Sequence, residues 1–240
     1  MLLSQELVVV AIQGNYERVF AHYDGFREKT PLELYQNACM RMHVPVRRSV
    51  ELALENNNDK SGDEQLVLAD ACLVSRDIPV ICDLLRHIKP VTKLDLSGNV
   101  LYDHDIADVF RHIQDLHHVD LSSNRLTSQT IARFVRYPSL RSLSISFNPL
   151  GCDTLGLLPE LLNQCPQLAS LDLESCDIRN YTLPDPTRHA YQHLGHRLDH
   201  LNLSYNPSSD DSASLEQWKS LVQNLVKDNG SNGQQILNCK

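Results

Sequence analysis

The sequence predicts an α/β fold built from stacked strand–turn–helix units, and three observations predict it. A pattern of the form L-x-x-L-x-L-x-x-N/C-x-L recurs along the chain. Its asparagine slots, at 99, 124, 148, 176 and 206, are 25, 24, 28 and 30 residues apart. Between the copies, apolar residues return at helical spacing. Self-similarity at such a period belongs to units that each contact only their neighbours.

The copies define the strands in order. Residues 91–101 (VTKLDLSGNVL) place Leu94, Leu96, Asn99 and Leu101 in the fixed slots. Residues 116–126 repeat them with Val119, Leu121 and Asn124, and residues 140–150 with Leu143, Ile145 and Asn148. Residues 168–178 follow with Leu171, Leu173 and Cys176, and a fifth copy from Leu198 carries Leu201, Leu203 and Asn206. A weaker copy precedes them at residues 66–73, where either Ala71 or Cys72 fills the asparagine slot. Alternate leucines point inward from a short strand while the residues between them face solvent. The asparagine turns the chain and hydrogen-bonds backbone groups left unpaired inside the stack. Cys176 offers only a weak S–H donor in its place, with apolar packing as compensation.

Each strand leads to a segment of helical spacing. The stripes are Ile106, Val109, Phe110 and Ile113; Ile131, Phe134 and Val135; and Leu155, Leu158, Leu161 and Leu162. Units of this length with a true helix match a leucine-rich-repeat solenoid of the larger, ribonuclease-inhibitor-like horseshoe type. Its short parallel sheet lines the concave face and its helices the convex face. About six units stacked roughly 4.8 Å apart extend about 25 Å and offer on the order of 800 Å² to a partner.

Before the repeats, residues 6–12 (ELVVVAI) read as a buried strand. Thr30-Pro31-Leu32-Glu33 is a capping box with proline at the first helical position. The helix it opens faces inward through Tyr35, Ala38, Cys39 and Met42 and ends near Pro45. Val46, Val50, Ala53 and Leu54 predict a second short helix, and residues 56–63 a polar loop. The expected organisation is a strand in 1–15, a helical cap in 16–62 and the solenoid in 63–240. Toward the C-terminus, Leu215, Trp218, Leu221, Val222 and Leu225 predict a helix, and residues 234–238 the start of a further strand. With no polar unit after it, that edge is either frayed or truncated, and the expectation is a fragment of a longer solenoid.

Composition excludes several classes. Lys+Arg 22 against Asp+Glu 30 gives a formal charge of −8, the wrong sign for direct nucleic-acid binding. The longest apolar run, residues 7–12, is far short of the ~20 needed to span a bilayer, and no secretory signal is expected. Seven cysteines without a CxxC spacing point to a reducing compartment with buried, packing thiols.

Candidate chemistry is sparse. There is no phosphate-binding loop, dinucleotide fingerprint, zincin motif or nucleophile elbow. His118, Asp120 and Ser122 share one strand face, but alternate residues stand about 6.6 Å apart, too far for a relay at about 3 Å. His189, His193, His196 and His200 offer helical pairs of the kind zinc uses, or simply a solvated helix face; Gly195 interrupts them and no cysteine or carboxylate pair accompanies them. No catalytic residue, cofactor or metal is therefore assigned. The predicted protein-binding residues are Lys93, Asp95, His118, Asp120, Ser144, Asp172, Glu174, His200 and Asn202, on the concave face together with Ser97, Ser122, Ser142, Ser146, Ser170 and Ser204. Polar and mildly acidic, this face suits a basic or polar partner element; the alternative is an ordinary solvated strand surface.

The succession of blocks carries a resemblance. Residues 31–39 (PLELYQNAC), the weak repeat at 66–73 with a helix at 78–88, and residues 143–152 (LSISFNPLGC) match in order. Residues 161–166 (LLNQCP), 171–176 (LDLESC) and 201–206 (LNLSYN) continue it, with one long His-containing repeat before the last. Over about residues 6–206 the chain resembles the C-terminal part of Tonsoku-like proteins, in which the end of a ubiquitin-like domain precedes a helical stretch and leucine-rich repeats. The resemblance implies a nuclear, non-enzymatic scaffold of replication-coupled DNA repair. In that family the leucine-rich repeats dock a large scaffold partner and support homologous recombination at stalled or broken forks. Family histone reading belongs to ankyrin repeats, which this chain lacks, so histones are not carried over to these residues. The alternative expectations are a generic leucine-rich-repeat adaptor or inhibitor, either ribonuclease-inhibitor-like or a ubiquitin-ligase substrate adaptor, and an actin-capping horseshoe of the tropomodulin class. Residues 1–60 show no F-box-like segment, and no long disordered arm of the actin-capping kind is present.

Overall fold

The computed structural model describes residues 29–56, 64–179, 190, 191, 198–206, 223, 225 and 226. The expected strand at 6–12, His189, His193, His196, most of the C-terminal helix, residues 234–238 and the Val135 side chain lie outside the described residues.

Among the described residues two helices come first, α1 (Pro31–Met42) and α2 (Arg48–Asn56). The capping box forms as the sequence predicts: the Glu33 N–H donates to Thr30 Oγ1 at 3.2 Å and the Thr30 N–H to Glu33 Oε2 at 2.9 Å. His43, in the left-handed region at φ 55, ends α1. Tyr35, Ala38 and Cys39 are buried, whereas Met42 and Val46 are exposed, against expectation. Met42 sits in the last turn, where the reversal at His43 ends the packed face, and Val46 precedes the first residue of α2.

Six three-residue strands then form one parallel sheet in sequence order: β1 (Gln65–Val67), β2 (Lys93–Asp95), β3 (His118–Asp120), β4 (Ser142–Ser144), β5 (Ser170–Asp172) and β6 (His200–Asn202). Their register aligns Leu66, Leu94, Val119, Leu143, Leu171 and Leu201 in one row, all buried. Two residues on, Leu68, Leu96, Leu121, Ile145, Leu173 and Leu203 form a second buried row. Each such leucine removed from water contributes roughly 1.5–3 kcal/mol before entropy is counted.

The return segments α3 (Ile78–His87), α4 (Asp103–Phe110), the 3₁₀ helix Ser128–Arg136 and α5 (Thr154–Gln164) pack side by side. They bury Ile106, Val109, Phe110 and Ile113, then Ile131 and Phe134, then Leu155, Leu158, Leu161 and Leu162. Phe110 meets Phe134 and Tyr137 edge-on at ring distances of 5.3 and 5.4 Å. A 3₁₀ helix in the third position departs from the expectation of a true α-helix there. This unit has the shortest spacing, 24 residues. The 3₁₀ form rises about 2.0 Å per residue against about 1.5 Å, so it covers the same path with less chain.

A left-handed residue precedes each asparagine slot: Asp70, Gly98, Ser123, Phe147, Ser175 and Tyr205, with φ between 51 and 65. The register therefore puts Ala71, not Cys72, in the first slot. Cys72 is exposed, contrary to a packing role, because it lies one residue past the buried position. Asn99, Asn124, Asn148 and Asn206 are buried and each bonds across to the preceding unit. Asn124 is representative: Oδ1 accepts the Leu101 N–H at 3.1 Å, and Nδ2 donates to the carbonyls of Leu96 and Leu121, both at 3.0 Å.

Aspartates stitch neighbouring units outside the leucine rows. Asp77 accepts the Val74 N–H at 2.9 Å and Arg47 Nε at 2.8 Å, tying α2's leading edge to the first unit. Ser49 donates to the Ala71 carbonyl at 2.6 Å, and Arg41 pairs with Asp83. Ser75 donates to Asp105 at 2.9 Å, and Thr127 to Asp103 at 2.8 Å. Beyond β6, Leu198 donates to the Leu225 carbonyl at 2.8 Å, with Leu225 and Val226 buried. Among the described residues no helix is long and apolar enough to cross a membrane.

Candidate functional site

Parallel sheets are usually covered by helices on both faces, and their strands then read as unbroken apolar runs. Here every strand has one buried central residue between two at least partly exposed ones. The second face is left to polar side chains.

The structure brings the predicted residues together on that face in three rows. Lys93, His118, Ser142, Ser170 and His200 share the first register row. Asp95, Asp120, Ser144, Asp172 and Asn202 share the second, which begins at Val67 on β1. Two residues further on come Ser97, Ser122, Ser146, Glu174 and Ser204. Ser146 corrects the expectation of a solvent-facing serine: it is buried, with its hydroxyl 3.3 Å from that of Ser144.

The second row has a local structural task. Just past each strand the chain turns and leaves an N–H without a ladder partner, which a short Asx side chain accepts. Asp95 takes the Ser97 N–H at 3.0 Å and its hydroxyl at 2.7 Å; Asp120 takes the Ser122 N–H at 2.9 Å. Asp172 takes the Glu174 N–H and Asn202 the Ser204 N–H, both at 3.0 Å. These contacts use one oxygen of each carboxylate, which has about four lone-pair sites. Asp120 thus serves the backbone of Ser122.

The face is electrically graded. At the start of the strands, partial desolvation and then the charges of Lys93, His117 and Arg141 push the His118 imidazole below its ordinary range. At the far end, burial pushes the Asp172 carboxyl up, and the charges of Glu174 and Asp120 add to that, against hydrogen bonds from Glu174 and Asn202. Asn202 Nδ2 also donates to Glu174 Oε2 at 3.0 Å. Between β1 and β4 the face holds a hollow of about 190 Å³ whose walls include Val67, Lys93, Asp95, His118 and Asp120.

Among the described residues no group of three or more His, Cys, Asp or Glu side chains is placed to hold a metal ion. Of the four clustered histidines only His200 is described, on β6. Sequence reasoning missed Phe147 and Tyr205, which are 51% and 65% exposed beside the acidic end. They occupy an unspecified slot of the repeat, so the only available signal was an aromatic immediately before the asparagine.

No protein-family model matches the chain, and no curated protein matches it.

Proposed function

We propose that the chain is a ribonuclease-inhibitor-like leucine-rich-repeat solenoid that acts as a non-enzymatic protein–protein interaction scaffold. Its partner binds across the polar, concave sheet face, and α1 and α2 cap the first unit. The observation that carries this reading is the parallel sheet with one helix-covered and one open face. A sheet face six strands wide is large enough for a standard partner contact of roughly 800 Å² a side. The Tonsoku-like resemblance of the ordered blocks supports a nuclear setting, with a large DNA-repair scaffold as partner in homologous recombination and fork maintenance.

The test replaces Asp120 and Asp172 together by Lys and measures recovery of nuclear partners beside thermal stability. Partner recovery is expected to fall at least tenfold, while loss of the caps on the Ser122 and Glu174 N–H groups lowers the melting temperature by several degrees and leaves a cooperative transition. Unchanged recovery by a folded variant removes the concave face from the mechanism.

A further inference from the structure

Gly98, Ser123 and Ser175 show that the left-handed position before the asparagine slot is served by small residues. Phe147 and Tyr205 hold the same position at φ 56 and 57 with side chains 51% and 65% exposed. A bulky residue is disfavoured in this region, and these rings recover little by burial. They flank the β5 unit, which carries Asp172 and Glu174. The Phe147 N–H donates to the Glu174 carbonyl at 2.8 Å, and Asn202, three residues before Tyr205, holds the Glu174 carboxylate at 3.0 Å. Two strand spacings separate the aromatic positions, about 10 Å, with the acidic pair on the strand between.

We propose that the β4–β6 end of the open face docks an extended cationic peptide, seating an arginine between Phe147 and Tyr205 and pairing it with Glu174 and Asp172. The inference rests on the reading of this face as a partner surface and names the partner's chemistry. A guanidinium is planar, stacks on aromatic faces and forks onto carboxylates, so it uses both features of the site. It also relieves the crowding of negative charge around Asp172, whereas a nucleic acid or an acidic peptide would add to it. A second copy of this chain, with a formal charge of −8, is disfavoured by the same argument.

The experiment is fluorescence anisotropy on the full chain with a labelled peptide of three Gly-Arg-Ser repeats, beside its twin carrying citrulline in place of arginine. The two peptides differ in charge but scarcely in shape. Phe147→Ser with Tyr205→Ser keeps every charge and installs the residue already found at Ser123 and Ser175, so the variant folds and general attraction is held constant. The arginine peptide is expected to bind at least tenfold tighter than the citrulline twin. The double serine variant is expected to lose about tenfold, and Glu174→Gln a similar amount. Equal binding of the two peptides, or undiminished binding by the folded double serine variant, overturns the proposal. So does light scattering that finds a dimer which the serine variant dissociates, because the rings are then covered by a second copy. If Asp120→Lys with Asp172→Lys abolishes partner recovery while the serine variant retains it, the docking face stands and only the arginine site fails.

Discussion

Asn148 and Cys176 occupy the same backbone position in adjoining units and meet its demands differently. Asn148 has both halves of an amide: Oδ1 accepts the Leu126 N–H at 2.9 Å, and Nδ2 donates to the Leu121 and Ile145 carbonyls at 3.0 Å. Cys176 has a single weak donor, and its Sγ lies 3.3 Å from the Ile145 carbonyl and 3.4 Å from that of Glu174. The N–H that an asparagine at 176 would accept, that of Leu150, goes instead to the Asn148 carbonyl at 2.8 Å. On the other side, Asn206 Oδ1 accepts two N–H groups, from Cys176 at 2.9 Å and Ile178 at 3.0 Å. Both side chains thus donate toward the preceding unit, while the acceptor is replaced at Cys176 by a local turn.

The two regions share the leucine layer, so the largest expected effect falls on both alike. Leu121→Asp in the first region and Leu173→Asp in the second each place a carboxylate at a site with no measurable exposure. Each should cost several kcal/mol, enough to unfold the stack. Loss of the cooperative thermal transition checks it. A folded Leu173→Asp beside an unfolded Leu121→Asp would show that the units around Cys176 are loosely held.

Truncation of the slot itself separates the regions. Asn124→Ala orphans the buried Leu101 N–H, at about 1–3 kcal/mol, and takes one of two donors from the Leu96 carbonyl, which keeps Asn99 Nδ2 at 2.8 Å. The expected loss is about 3 kcal/mol. Cys176→Ala removes only weak S–H contacts and a small volume, and about 1 kcal/mol is expected. Urea unfolding of both variants measures the gap. Equal losses would mean that the thiol's packing, rather than the amide's hydrogen bonds, sets the scale in both units.

Much of this was legible because the leucine period and the strand period are the same pattern. Leu94, Leu96 and Asn99 determine which residues face in and which face out, and the polar rows follow by elimination. The choice between Ala71 and Cys72 was not legible, since both are small. Only the pairing of Leu66 with Leu94 counts five residues forward to Ala71. The 3₁₀ form of Ser128–Arg136 was hidden because an apolar pair three residues apart, Ile131 and Phe134, suits either helix. Asp77, Asp103 and Asp105 look locally like exposed helix-start residues, and their partners Arg47, Thr127 and Ser75 lie 24 to 30 residues away. The acidic row was readable as a face, but the second task of each aspartate, capping the N–H two residues on, requires the turn geometry.

The smallest expected effect tests whether that face is shaped by folding or by a partner. Asp172 and Asn202 share a register row and cap the same kind of N–H, so Asp172→Asn keeps the cap and removes the charge. Burial, and then the charges of Glu174 and Asp120, hold the Asp172 carboxyl above its ordinary range. The folded chain thus binds that proton more tightly than the unfolded chain. The carboxylate's cost is absent below the ordinary aspartate range, grows as pH rises through the raised value, and is constant above it. Asp172→Asn should therefore stabilise the protein slightly at pH 7, with the gain shrinking as pH falls into the ordinary aspartate range and absent below it. Denaturation midpoints of both proteins across that range give the curve, and a gain that does not depend on pH would show that the charge is already compensated in the fold. The same substitution should weaken the arginine peptide severalfold. Stability and binding then move in opposite directions at one carboxylate, as expected where a charge is kept for a partner at the expense of the fold.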